Sequence, residues 1–231
     1  MISTRREMRI STRMVVLLIA SIAATDLIAD RYEPPHSGLF LKLVIVTGYM
    51  VWALRYVGLS TEELGLGRSS MRAGVRDGLI AALCIAGVIA ILVAIPASRS
   101  YFSSSHAVSG STTSRFLQPL VVIPLGTVVF EEVIFRGVLL AVLLRWGSRR
   151  QAIVVSSVVF GFWHVIPALG HVSGKGVVAS LGVVVGTIAA TSVAGALFAW
   201  LRIRSNSLFA PILAHVATNS FAYVGALIVV T

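Results

Sequence analysis

Two adjacent glutamates and an arginine lie in a stretch of the chain that is otherwise almost wholly apolar. Glu131, Glu132 and Arg136 fall between Leu117 and Trp146, a run long enough to cross a lipid bilayer. An ionised side chain at the centre of a bilayer costs about 2.5–3.5 kcal/mol on insertion scales, so intramembrane charges are functional by default. Their chemistry is either mutual charge compensation, carboxylate catalysis, or both.

Two further apolar stretches carry histidines. The first ends in Phe160-Gly-Phe-Trp-His164, and the second contains His215-Val-Ala-Thr-Asn219. At about 1.5 Å per helical residue, Glu131, His164 and Asn219 lie about 18–20 Å from the predicted cytoplasmic ends of their helices, and His215 about 12 Å. Polar side chains from three helices therefore reach one layer and could form one site.

Spacing within the helices separates the two carboxylates. Glu132 and Arg136 are four residues apart and can pair on one helix face. Glu131 is rotated by about 100° from Glu132 and lacks that partner, which leaves it free to act as a general base. His215 and Asn219 are also four apart and can point at one spot.

The composition is that of a polytopic membrane protein. The 231 residues are 57% hydrophobic and 12% charged, with a mean hydropathy of +0.92, whereas a soluble domain carries about 25% charged residues. The net charge of +10 could indicate nucleic acid, but its distribution fits membrane orientation, so no nucleic-acid partner is expected. Cys84 is the only cysteine, which excludes an intrachain disulfide.

Seven apolar segments divide the chain, each near the 17–25 residues that cross a hydrocarbon core of about 30 Å. They are Met14–Ile28, Leu39–Leu54, Gly78–Ile95, Leu117–Leu144, Ala152–Leu169, Gly176–Leu201 and Leu208–Val230. The sequence therefore predicts an all-α bundle of about seven transmembrane helices, forming a single membrane domain over residues 1–231. In the sixth segment, small residues at every fourth position from Gly182 to Ala194 predict a close helix contact.

The connections between these segments predict the orientation. Alternate connections hold thirteen Lys and Arg residues, and the opposite set holds four. This bias places the N-terminus in the cytoplasm and the C-terminus outside. Short loops and abundant Ala, Val and Arg favour a bacterial cytoplasmic membrane. The connection 97–116 is predicted to be a mobile polar loop. His36, His106 and His171 lie in or near external connections and receive no role. The first apolar segment is interpreted as an uncleaved helix rather than a signal peptide.

The three motifs together resemble the CPBP family of intramembrane proteases, which includes type II CAAX prenyl endopeptidases and bacteriocin-processing relatives. The resemblance rests on Glu131-Glu132-x-x-x-Arg136, Phe160-x-x-x-His164 and His215-x-x-x-Asn219, in this order on separate apolar helices. It covers about residues 117–225, the predicted core, while the first three segments match only in hydrophobicity.

The resemblance implies an endopeptidase that hydrolyses a peptide bond of a membrane-associated substrate, such as a protein or a peptide with or without a prenyl group. It implies that Glu131 and His164 activate a water, that Glu132 pairs with Arg136, and that His215 and Asn219 stabilise the oxyanion. Family members have been described as metal-dependent and as metal-free. If a divalent metal such as zinc is used, Glu131, His164 and His215 are the expected ligands.

Other functions stay open at this point. The charged residues could form a buried ion network in a non-catalytic membrane scaffold or regulator, or a proton relay in a proton-coupled transporter. A serine intramembrane protease is disfavoured because no Gly-x-Ser-x-Gly motif is present, and a nucleotide-driven pump because no phosphate-binding Gly-x-x-x-x-Gly-Lys is present.

Overall fold

The computed structural model describes residues 10–32, 38–102 and 112–230, and no strand occurs in these ranges. The predicted all-α bundle is confirmed. Its helices are α1 (Thr12–Tyr32), α2 (Gly38–Val51, continued by Trp52–Val57), α3 (Met71–Ala94), α4 (Thr112–Leu117 through Leu140–Trp146), α5 (Arg149–Trp163), α6 (Val165–Gly170), α7 (Val177–Ser205) and α8 (Phe209–Val230).

Five spans in the described residues are long and apolar enough to cross a membrane. They are Leu39–Val57, Arg68–Ala94, Arg149–Gly170, Val177–Ser205 and Phe209–Val230. The first and fourth predicted segments also form helices, α1 and α4, but α4 is interrupted in its regular hydrogen bonding. His36 and His106 lie outside the described residues, as do residues 103–111 of the predicted mobile loop 97–116. The described ends of that loop are helical, with a 3₁₀ helix at Pro96–Tyr101 and the start of α4 at Thr112–Leu117.

Helix α4 contains two π-helical stretches that flank the glutamate pair. The first, Gln118–Val128, includes Pro119 and Pro124. A proline inside a helix lacks the N–H for the regular ladder and clashes with the preceding turn, so wider hydrogen-bonded rings accommodate it. The second stretch, Val133–Leu139, contains Arg136. Single π-helical turns are frequent at functional sites.

The predicted fifth segment is two helices rather than one. Helix α5 ends at Trp163, α6 begins at Val165, and His164 between them has φ −91° and ψ 7°. This is the sparsely populated bridge region of backbone space, in which many active-site residues lie. The break therefore coincides with the histidine that the sequence selects as a site residue.

The main helix contacts are between α3 and α8 and between α5 and α7. Gly161 makes the second contact possible, because a Cβ there would lie 2.7 Å from the carbonyl oxygen of Ile188 and overlap Ser192. The prediction of a close contact was wrong for Gly182 and Gly186, since both are exposed with open space around them, whereas Ala194 at the end of the stripe packs against an apolar cluster of α7 and α8. Small side chains permit a close approach, but the position of the neighbouring helix decides which face uses it.

Three of the four basic connections that were predicted to share one side of the membrane meet at one end of the bundle. Arg145, in the last turn of α4, binds Glu63 in the connection between α2 and α3. Arg204 of α7 lies 3.4 Å from Asp77 at the start of α3. These contacts support the predicted alternation of the helices, and we call this the basic end of the bundle.

Candidate active site

Glu132 lies at the centre of a buried polar cluster built from α4, α5, α7 and α8. Its Oε1 accepts hydrogen bonds from Arg136 Nη1 at 2.9 Å and from His215 Nδ1 at 2.8 Å. Glu132 is 0% exposed, Arg136 1% and His215 3%. The predicted i,i+4 pair of Glu132 and Arg136 is thus present, and His215 of α8 joins it.

The guanidinium of Arg136 is surrounded by groups that suit a cation. Nη2 donates to the carbonyl oxygen of Gly195 at 3.3 Å. The centre of the guanidinium lies 4.0 Å from the ring centroid of Phe160 and 5.3 Å from that of Phe198. Aromatic faces attract a desolvated cation, so these rings stabilise the buried charge along with Glu132.

Glu131 has a different environment from its neighbour. Its Oε1 accepts a hydrogen bond from the indole Nε1–H of Trp163 at 3.3 Å. Its Oε2 has no hydrogen-bond partner in the described residues and lies 3.8 Å from His215 Nε2. Glu131 therefore has one neutral donor where Glu132 has an arginine and a histidine.

The hydrogen bonds of His215 define its tautomer. The Nδ1 of His215 donates to the carboxylate of Glu132, which leaves Nε2 as an acceptor for the side-chain Nδ2 of Asn219 at 3.2 Å. Phe198 stacks on the imidazole, with ring centroids 4.8 Å apart and planes at 23°. His215 is thus fixed between α4, α7 and its own helix.

His164 lies at the break between α5 and α6 and is only partly buried. Its Nδ1 is 2.9 Å from the carbonyl oxygen of Phe160. A carbonyl oxygen only accepts, so Nδ1 carries the proton and Nε2 is left as the basic nitrogen. No hydrogen bond or ion pair joins His164 to Glu131 in the described part of the chain.

The residues named as conditional metal ligands do not form a metal site in this arrangement. Across residues 10–32, 38–102 and 112–230, no three His, Cys, Asp or Glu side chains come close enough together to hold an ion. Glu131 faces Trp163 and His215, and His164 faces a backbone carbonyl. Glutamate and histidine are ordinary zinc ligands, but in this arrangement the described donors do not fit a bound divalent metal.

Trp163, Gly195 and Phe198 also belong to the cluster, but the sequence analysis did not select them as site residues. Trp163 has a usable signal, because a buried indole N–H needs an acceptor and Trp163 precedes His164 in an apolar helix. Gly195 and Phe198 have none, since α7 carries no polar motif. A Cβ at Gly195 would lie 3.3 Å from Arg136 Nη2, so the absence of a side chain there leaves room for the guanidinium.

The cluster combines buried carboxylates, two imidazoles and an amide inside a helical membrane bundle. A family model, type II CAAX prenyl endopeptidase Rce1-like, matches residues 113–221. The resemblance predicted from the three motifs is therefore confirmed: residues 113–221 are an Rce1-like region, which includes all six predicted site residues. No curated protein and no solved structure gives a match.

At the level of the family, the match indicates a CAAX-type endopeptidase, and the apolar helices indicate an integral membrane protein. The matched region extends over α4 to most of α8 and leaves out α1 to α3. The motif resemblance was predicted over about residues 117–225.

Proposed function

We propose that this protein is an intramembrane endopeptidase that hydrolyses a peptide bond of a membrane-associated substrate, with Glu131 as the general base. The asymmetry of the glutamate pair carries the proposal. Both carboxylates keep an Oε2 without a partner in the described residues, but Glu132 is paired with the cation of Arg136 and accepts from His215, whereas Glu131 accepts only an indole N–H. A carboxylate in the second situation is able to take a proton from a water.

His164 is the second group proposed to act on the water. Its Nδ1 is held by the carbonyl oxygen of Phe160 at the end of α5, which leaves Nε2 to accept a proton. Glu131 and His164 are not in contact here, so a water or a bound substrate has to bridge them. Catalytic contacts that tighten only in the substrate complex are common in enzymes.

Asn219 is proposed as the donor to the oxyanion that forms when water attacks the peptide carbonyl. One N–H of its amide is held by His215 Nε2 at 3.2 Å, which orients the amide, and the other remains for the substrate. With Nε2 accepting, His215 positions Asn219 rather than donating itself. Glu132 and Arg136 in turn hold His215 in place.

The substrate proposed from the family is a membrane-associated protein or peptide, with or without a prenyl group. Glu131→Gln tests the proposal because glutamine keeps the shape and can still accept from Trp163. Cleavage of a prenylated CAAX-type peptide in liposomes should fall by about 10²–10⁴, the usual contribution of a general base. The thermal unfolding midpoint should stay close to that of the wild type.

Glu62→Gln is the matched control, since Glu62 is an exposed glutamate in the connection between α2 and α3. It should cleave like the wild type. A folded Glu131→Gln variant with full activity would contradict Glu131 as the general base. A folded wild type that cleaves no such peptide would contradict the endopeptidase itself and favour a non-catalytic scaffold, or the proton-coupled transporter if it carried a proton flux that Glu131→Gln altered.

The orientation proposed for the bundle places its basic end in the cytoplasm of a bacterial cell. The support is the excess of Lys and Arg in the connections that meet at that end. A reporter that is active only outside the membrane should be active when fused after Thr231. An inactive external reporter paired with an active cytoplasmic one would reverse the assignment.

A further inference from the structure

A cavity of about 260 Å³ opens at the basic end of the bundle, among residues that the candidate active site does not use. It lies where the connection between α2 and α3, the end of α4, the start of α5 and the end of α7 converge. Its polar lining consists of Glu63, Arg145, Arg149, Arg202 and Asn206. Three arginines and one glutamate give this cavity an excess of positive charge.

Arg145 does not contribute to that excess, because its charge is already matched. Its Nε and Nη2 each lie 2.6 Å from an oxygen of the Glu63 carboxylate. Nη2 and Nη1 also donate to the carbonyl oxygens of Gly58 and Val57. The unmatched charge therefore belongs to Arg149 and Arg202.

Arg202 is a buried cation that lacks a counter-ion in the described residues. It is 3% exposed, and its Nη2 donates to the neutral carbonyl oxygen of Glu63 at 2.7 Å. Its Nη1 is 3.5 Å from Asn206 Oδ1, and its Nε has no acceptor. Leaving a buried charge uncompensated is strongly destabilising, so an anion that reaches this cavity would be bound favourably.

Arg149 adds an exposed charge at the mouth of the cavity. It is the first residue of α5, whose first turn contains no acidic residue. The N-terminus of a helix carries the positive end of its dipole, where anions are stabilising and cations are not. The helix dipole of α5 and the charge of Arg202 thus both favour an anionic ligand.

Two tryptophans near the cavity indicate its depth in the membrane. Trp146 follows Arg145 directly, and Trp200 is half-exposed, with its ring centroid 5.4 Å from the guanidinium of Arg204. Tryptophans concentrate at the headgroup level of the bilayer. Exposed Leu144 and Leu197 continue the surface next to them as apolar side chains, which suit contact with acyl chains.

We propose that this cavity binds the phosphate of an anionic phospholipid headgroup. The phosphate would accept hydrogen bonds from Arg202 and Arg149, since a guanidinium fork matches the geometry of a phosphate. Basic pockets between transmembrane helices on the cytoplasmic side bind anionic headgroups in this way. The lipid would compensate the buried charge of Arg202 and join α4, α5 and α7 at their basic ends.

Native mass spectrometry of the purified protein with phosphatidylglycerol and with phosphatidylcholine tests this proposal. The wild type should retain phosphatidylglycerol preferentially. Arg149→Gln, an exposed change that leaves the core intact, should reduce that preference about five-fold, which corresponds to one basic contact at a membrane surface. Arg150→Gln is the matched control, because Arg150 is exposed and adjacent but does not line the cavity.

Equal effects of Arg149→Gln and Arg150→Gln would show a general surface charge and overturn the site. A lipid headgroup and free inorganic phosphate present the same chemical group to the arginines. Thermal unfolding with the lipid and with inorganic phosphate distinguishes these two sources. Phosphatidylglycerol should raise the unfolding midpoint of the wild type more than that of Arg149→Gln. Stabilisation by inorganic phosphate alone, with no preference between the two lipids, would overturn the assignment to a lipid.

Discussion

Two glutamate–arginine pairs of this protein have the same chemistry in opposite surroundings. In the pair of Glu132 and Arg136, the nitrogen and oxygen are 2.9 Å apart and both side chains are 0% exposed. In the pair of Glu63 and Arg145 they are 2.6 Å apart, but the arginine is 20% and the glutamate 37% exposed. The shorter pair is the one at the basic end, in contact with water.

The comparison shows that distance alone does not rank the two pairs. The buried pair is shared by four helices, because Glu132 also binds His215 of α8, and Arg136 also contacts Gly195 of α7 and Phe160 of α5. Removing one member leaves a charge where water cannot solvate it. The pair at the basic end fastens a connection to the end of α4, and water can replace either partner.

The largest expected effect is that of Glu132→Gln. This change leaves Arg136 as an uncompensated charge in a buried layer, at a cost of about 3–5 kcal/mol in the free energy of unfolding. It also weakens the hold on His215, so cleavage should be lost along with stability. Thermal unfolding in detergent micelles and the yield of folded protein measure the effect.

A second substitution tests whether the uncompensated charge of Arg136 causes the loss of stability in Glu132→Gln. Replacing Arg136 by methionine in the Glu132→Gln background removes the orphaned charge, so it should restore part of the lost stability without restoring cleavage. If Glu132→Gln were as stable as the wild type, the pair would not be the structural centre of the site. In that case the roles of Glu131 and Glu132 would have to be exchanged.

The sequence predicts the buried pair better than its surroundings. An i,i+4 spacing of opposite charges on an apolar helix is a local pattern, and the pair of Glu132 and Arg136 follows from it. The contacts of that pair with His215, Gly195 and Phe198 depend on how α7 and α8 pack, which a local pattern does not contain. Depth along the helices indicates a common layer but not the partners within it.

The helix positions were also predictable, because long apolar runs between basic connections are a strong signal. The break at His164 also had a signal, because Pro167 in the same apolar segment lacks an N–H and clashes with the carbonyl of Trp163, the last residue of α5. The stripe of Gly182 and Gly186 failed because small residues allow a contact without specifying one. Tertiary packing decides which of these small residues a neighbouring helix meets.

Asn219→Ala is expected to have the next largest effect, and on turnover rather than folding. Removal of one donor to an oxyanion typically costs about 10²–10³ in rate. Asn219 is only partly buried at the outer side of the cluster and binds His215 through one contact, so stability should change little. Cleavage kinetics should show a lower kcat with a similar KM.

Thr218→Ala is the control for that measurement. Thr218 is the neighbouring residue of α8, and its hydroxyl donates to the carbonyl oxygen of Ala214 within the same helix. It should cleave close to the wild-type rate. A change in KM alone for Asn219→Ala would place this residue in substrate binding, and equal losses in both variants would indicate a general disturbance of α8.

The smallest expected effect is that of Glu63→Gln, which completes the contrast with Glu132→Gln. Hydrogen bonds from Arg145 hold the pKa of Glu63 below its ordinary value of 4.5, and a backbone N–H from Ser60 adds to the shift. Because the folded-state pKa is the lower one, the pair stabilises the protein above about pH 4.5. This contribution is lost as the pH falls through the folded-state pKa.

At 37% exposure of the Glu63 side chain, the contribution of the pair to stability should amount to less than about 1 kcal/mol. The thermal unfolding midpoints of the wild type and of Glu63→Gln should therefore differ slightly at pH 7, and the difference should shrink as the pH falls from about 4.5 towards 3. A difference that persisted undiminished at pH 3 would mean that packing of the connection against α4, rather than the ionised carboxylate, is what Glu63 provides.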